Sequence, residues 1–205
     1  MTGASDNAWA MPTTLRGEHV VLEPLNRTHA GELREAVRGW DTSALSFTSV
    51  PDAGSVDAYI DHALGMQARG DALPFLVRDG TGAAVGSTRY YQIDARVPRL
   101  CIGYTWYVPR VQRTALNTQA KRLLLAHAFE ALGCAAVSFE TSWFNRASRA
   151  AIARLGAKQD GVLRNHMRHP DGTLRDTVVF SILDSEWPAV RGHLDRYLAR
   201  GGCGG

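Results

Sequence analysis

Near Pro109 the hydrophobic pattern changes period, and this change constrains the fold more than any other feature of the chain. Before it lie three strand-length runs, Leu73–Arg78, Ala83–Ile93 and Leu100–Val108, rich in β-branched and aromatic residues. Asp79–Gly80–Thr81–Gly82 joins the first two as a hairpin, its glycines supplying the positive φ that tight turns need. After Pro109, Ala120, Leu123, Leu124, Ala128 and Leu132 recur at spacings of three and four. That is one face of a helix, which Asn117 or Thr118 can cap and Gly133 can stop.

The rest of the chain fits around this junction. His19–Leu25 predicts a first strand, and Thr28 an N-cap for a helix carrying Leu33, Ala36 and Val37. Tyr59, Ile60, Ala63 and Leu64 form the apolar stripe of a second helix over Val56–Gln67. Ala135–Thr141 is β-rich, and Asn145 caps a helix with Ala151, Ile152 and Leu155 inside and Gly156 at its end. Gly161–Arg168 and Arg175–Leu183 predict two last strands, turned by Pro170–Asp171–Gly172. The order β-α-α-β-β-β-α-β-α-β-β predicts an α/β fold of the mixed kind, a sheet flanked by helices. No linker or repeat interrupts it, so residues 14–198 read as a single domain, with 1–13 and 199–205 as flexible ends.

Composition narrows the function. A chain of 205 residues, 45% hydrophobic and 21% charged, is long enough for a real core. The net charge of +3 suits an anionic ligand but does not demand one. No basic run or aromatic–basic platform is present, so nucleic acid is not expected as a partner. Three cysteines (Cys101, Cys134, Cys203) make neither a disulfide framework nor a zinc motif, and Cys101 and Cys134 sit in apolar runs as small core residues. No metal is expected. With no secretion signal and no apolar stretch of about 20 residues, the expectation is a cytoplasmic protein without a membrane partner.

The chemistry concentrates in two segments. Ile102–Lys121 runs from a strand through small and polar residues to a helix N-terminus, whose free N–H groups and dipole form an anion site. Thr114, Ala115 and Thr118 let phosphate oxygens approach the backbone, and Arg113 and Lys121 can add charge from the side. An ordinary β-α turn would look the same. The second segment is Asn145-x-x-Ser148, a cap and a first-turn hydroxyl that share one helix end. Trp106, Tyr107, Trp143 and Phe144 flank the proposed cleft, as pocket lining or as core. Tyr90 and Tyr91 alternate, one ring inward and one outward. Arg149, Arg154 and Arg164 read as solvated faces.

Together these segments resemble the GNAT superfamily of N-acetyltransferases, in particular its ribosomal-protein α-amino acetyltransferase branch, from about Thr14 to Pro188. The resemblance implies a mostly antiparallel twisted sheet of about seven strands with a splayed cofactor cleft. It implies acetyl-CoA as acyl donor and a primary amine as acceptor, from a protein N-terminus or a small molecule, joined in a ternary complex. The family's turn pattern, Gln/Arg-x-x-Gly-x-Gly/Ala, falls on Gln112, Ala115 and Asn117, where Ala and Asn replace Gly. Residues 112–118 (Gln112, Arg113, Thr114, Ala115, Leu116, Asn117, Thr118) would hold the pyrophosphate. The strand end Trp106, Tyr107 and Val108, with Asn145, would hold the pantetheine arm. Ser148 would protonate the departing thiolate. Backbone amides over Thr105–Val108 could serve the oxyanion. For a general base, Glu140 is the first candidate, because its strand runs into the Asn145 region; Asp176, Tyr104 and His166 follow. The alternative is an acyl-CoA-binding regulatory module without efficient catalysis. Members of the branch often pair through exposed edges, which makes a homodimer an option.

Overall fold

A computed structural model describes residue 9 and residues 11–40, 50–169 and 172–201. It contains one eight-stranded sheet: β1 (Leu15–Arg16), β2 (Val20–Pro24), β3 (Ala72–Asp79), β4 (Ala84–Asp94), β5 (Arg99–Tyr107), β6 (Ala136–Ser142), β7 (Lys158–Arg168) and β8 (Leu174–Leu183). The spatial order is β1-β2-β3-β4-β5-β6-β8-β7, and every neighbouring pair is antiparallel except β5 with β6. The eighth strand is β1, two residues long and too short to show a period.

Among the described residues five α-helices cover the sheet: α1 (Ala30–Val37), α2 (Val56–Ala68), α3 (Ala115–Ala126), α4 (Arg146–Arg154) and α5 (Trp187–Ala199). α2 packs on β3, whereas α3 packs on β2 and against α5. Side chains of β4 separate the two faces. Tyr90 reaches α3, where its hydroxyl donates to the Leu124 carbonyl at 2.7 Å; Tyr91 joins Met66 of α2. Both rings are buried, so the expectation of one outward ring is corrected: helices cover both faces and β4 has no solvent side.

Local signals explain most element ends. The first helical turn is capped by Asn26, whose Oδ1 accepts from the Thr28 amide at 2.9 Å, and not by Thr28. A short 3₁₀ turn, Arg27–His29, precedes α1 and moves the cap two residues upstream. α3 runs into a π-type turn over His127–Ala131 before Gly133 stops it at φ +68°. Gly156 at φ +98° likewise ends the α4 segment. Of the β7–β8 turn, Pro170 and Asp171 lie outside the described residues, but Gly172 donates to the His169 carbonyl at 2.9 Å.

α5 has no counterpart in the predicted order. Its apolar residues Trp187, Val190 and Leu194 follow a helical spacing and are buried against the α3 side. Trp187 stacks on Phe129 with centroids 5.4 Å apart and donates to Glu130 at 2.8 Å. Trp9, inside the stretch read as a loose end, also belongs to the buried core.

Candidate active site

β5 and β6 pair over only three residues each, Arg99–Cys101 with Ala136–Ser138. Beyond them β6 continues to pair with β8 and β5 with β4, so the two strands diverge and a gap opens between their C-terminal ends. The divergence has a cause in β5. The register with β4 passes from Arg89↔Gly103 to Ser87↔Trp106, so Thr88 faces two residues, Tyr104 and Thr105. This is a β-bulge, with Tyr104 in the left-handed region at φ +51°. Bulges bend and twist the strand that carries them, and here the bent strand is the one leaving its neighbour.

The turn that follows closes one end of the gap. Pro109–Val111 forms a 3₁₀ turn, and Arg113 takes φ +61° to redirect the chain. Thr114 then caps α3: its Oγ1 donates to the Val111 carbonyl at 2.7 Å and accepts from the Leu116 amide at 3.3 Å. The predicted caps Asn117 and Thr118 lie inside the helix instead, Asn117 half-buried and Thr118 buried. The redirection is made at Arg113, which leaves Ala115 and Asn117 with ordinary helical backbone. Neither position therefore needs the glycine of the family pattern. A helix leaves its first-turn amides without intrahelical partners; Thr114 takes that of Leu116, which leaves those of Ala115 and Asn117 for an anion.

Side chains around the turn divide between scaffold and mouth. The exposed Gln112 donates through Nε2 to the Tyr107 carbonyl at 2.8 Å, holding the turn against the end of β5. Arg110 pairs with Asp79 at 2.6 Å, whereas Arg113 stands exposed beside the α3 N-terminus. Lys121 does not add charge there, which corrects the sequence expectation. It projects into the core beneath the bulge, buried, with Nζ 2.7 Å from Thr105 Oγ1 and 3.4 Å from Thr88 Oγ1. Burial pulls its pKa down to about 7.

The other wall is β6 and the start of α4. Asn145 caps α4, its Oδ1 accepting from the Ser148 amide at 3.0 Å, and both residues are half-buried at one helix end. Glu140 lies two residues past the last β5–β6 pair, half-buried, on the face that carries Cys101 and Tyr91. Burial first, and the Glu140 charge second, push the Cys101 thiol up to about 12. Burial alone does the same to Cys134. Of the weaker base candidates, Asp176 is held by Arg164 at 2.6 Å and by the Asn165 amide at 2.8 Å, His166 is exposed on β7, and Tyr104 forms the bulge.

The four aromatics separate. Trp106 and Tyr107 are buried; Trp106 meets Tyr59 edge-on and donates to its hydroxyl at 3.3 Å. Val108 is buried as well, its amide donating to Val85 at 2.8 Å. Trp143 and Phe144 are not core but exposed, because they occupy the tight β6–α4 turn, where the Arg149 guanidinium lies over the Trp143 ring at 4.2 Å. Sequence reasoning missed Arg89. A charged residue in the middle of an apolar strand was the signal that could have found it.

Residues 19–158 match the family model for the acetyltransferase (GNAT) domain. The chain belongs to the GNAT acetyltransferase family. A GCN5-related N-acetyltransferase from Brucella melitensis is 31% identical, with a TM-score of 0.82 over 91% of this chain and 85% of that one. RimJ of Mycobacterium smegmatis, solved in complex with CoA-disulfide, shares the fold at 21% identity, with a TM-score of 0.74 over 93% and 94% of the two chains. The uncharacterized N-acetyltransferase YoaA of Bacillus subtilis (strain 168) is 28% identical over 106 residues, 52% of this chain. That match spans 59% of YoaA's own length. No described helix is long and apolar enough to cross a membrane.

Proposed function

We propose that this GNAT chain transfers an acetyl group from acetyl-CoA to a primary amine by direct attack in a ternary complex. The observation that carries this reading is the coincidence of the β5–β6 gap, the β5 bulge and the capped N-terminus of α3 at one place. The α3 end suits a pyrophosphate, and the side of β5 that β6 leaves unpaired at Trp106, Tyr107 and Val108 suits an amide-bearing arm. The CoA-disulfide of the mycobacterial RimJ supports a CoA thioester as donor.

In this reading the pyrophosphate lies on the backbone of Gln112–Thr118, with Arg113 beside it. Asn145 uses Oδ1 on its own helix and keeps its amide N–H groups for the pantetheine arm. The neutral amine attacks the acetyl carbon, and its proton leaves toward Glu140, directly or through water. The carbonyl oxygen takes up negative charge against β5 amides at the bulge. The C–S bond then breaks, and the thiolate takes a proton from Ser148, which regains one from water as Glu140 returns its proton to solvent. A cysteine relay does not fit: thiols pushed up to about 12 stay protonated near neutrality, and Cys101 and Cys134 are buried.

Thiol release from acetyl-CoA in the presence of a panel of primary amines tests the reading. Release above background with at least one amine is expected. Tight acetyl-CoA binding with no release from any amine would leave the regulatory-module alternative. Ala115→Glu places a carboxylate at the first residue of α3, where it meets the pyrophosphate but not the core. Acetyl-CoA affinity should fall by about 100-fold or more with an unchanged melting temperature. Undiminished binding measured by calorimetry would move the anion site elsewhere.

A further inference from the structure

Arg89 sits in the middle of β4, wholly buried, on the face opposite Lys121. Its guanidinium carbon lies 4.1 Å from the centre of the Tyr104 ring and 5.2 Å from that of Tyr59, and Nη1 lies 3.5 Å from the Met66 sulfur. Among the described residues no carboxylate forms an ion pair with it, and its Nε and Nη2 are buried without a hydrogen-bond partner. These two nitrogens share one edge of the guanidinium. It is the edge on which a carboxylate seats with two parallel N–H···O bonds.

A buried cation without a counter-charge is costly, and its unmade hydrogen bonds add to the cost. Ring contacts with Tyr59 and Tyr104 offset part of it but leave the fork empty. The position of the fork gives the missing anion a role. A donor anchored at the α3 N-terminus approaches the gap from the α3 face, so the amine must arrive from the other face, where Arg89, Tyr59, Tyr104 and Glu140 stand. Tyr104 is itself the bulge residue of the strand that borders the gap. The two rings over Arg89 are each only half-buried, so the guanidinium lies one aromatic layer below the surface on this face.

We propose that Arg89 reads the acceptor: its Nε/Nη2 edge binds a carboxylate on the amine substrate, which makes the acceptor class a small molecule bearing both an amine and a carboxylate, of amino-acid type. The proposal rests on the acetyl-transfer reading above and narrows it. A primary amine alone would leave the guanidinium edge unpaired.

The test compares standard amino acids with their carboxamides, which keep the amine and lose the negative charge. The wild-type protein should acetylate at least one amino acid with kcat/KM about 100-fold or more above its amide. Arg89→Met should collapse that ratio to near one while acetyl-CoA affinity by calorimetry stays unchanged. Should Arg89→Met not fold, Arg89→Lys keeps the charge without the fork, and the ratio should fall by about tenfold or more. Equal use of acid and amide by the wild type, or a ratio that survives in a folded Arg89 variant, would overturn the proposal. Acetyl-CoA binding with no thiol release from acid or amide would instead count against the transfer reading. The carboxylate site is then decided by the Arg89 Nε–H resonance during titration with the same compounds. A shift with acids and not with amides supports it; no shift with either overturns it.

Discussion

Lys121 shows how one buried residue can tie stability to pH. Folding moves its ammonium from water to a place between α3 and the sheet where two threonine hydroxyls are its hydrogen-bond partners. Its pKa falls from 10.5 to about 7, so between those values the unfolded chain holds a proton that the folded chain has released. Stability from this residue therefore rises with pH across that window. Below about 7 both states are charged and the whole burial cost is felt. Relative to Lys121→Met, the wild type should gain about 2.5 kcal/mol in urea unfolding between pH 7 and 9. Parallel pH curves for the two proteins would mean that Lys121 keeps its proton in the fold. Sequence placed this lysine at the anion turn because spacing gives a residue's distance along a helix. Which side of the helix meets the sheet is decided by packing.

At the scale of elements, the first turn of α4 joins two separable duties. Asn145 closes the helix end and Ser148 occupies its third position, so Asn145→Ala should cost about 1 kcal/mol in thermal unfolding. Ser148→Ala should leave unfolding unchanged and lower kcat more than it alters acetyl-CoA affinity. Equal turnover would make Ser148 structural. Asn145, Gly133, Gly156 and the hairpin glycines were legible because caps and stops act within four residues. The same holds for strands β2 to β8, whose periods are long enough to count. The caps of α1 and α3 were misread by a few residues, since a 3₁₀ turn or a left-handed Arg113 can shift a helix start without changing the apolar stripe. The bulge at Tyr104 left no trace in the sequence, because its cause is the pairing of two strands. Arg89 stood in plain view, but its unpaired edge appears only when the strand is buried in the fold.

Across the whole molecule, α5 secures what the sheet leaves open. Trp187, Val190 and Leu194 bury apolar area worth about 2 kcal/mol each, together comparable with the stability of an ordinary domain. A chain ending at Leu183 should therefore lose its cooperative thermal transition by circular dichroism, and a sharp melt near the wild-type temperature would refute that. Within the sheet, the strands β1 to β5 form one leaf and β6 to β8 another, and among the described residues the strand pairing that joins them is the three-residue β5–β6 ladder. Leaves bound so narrowly can flex about that line with little loss of backbone bonding. A molecule lodged in the gap touches both and works as a clasp, so occupancy and stiffness become one variable. Acetyl-CoA should therefore slow amide exchange along the facing ends of β5 and β6, and equal exchange with and without it would refute the clasp.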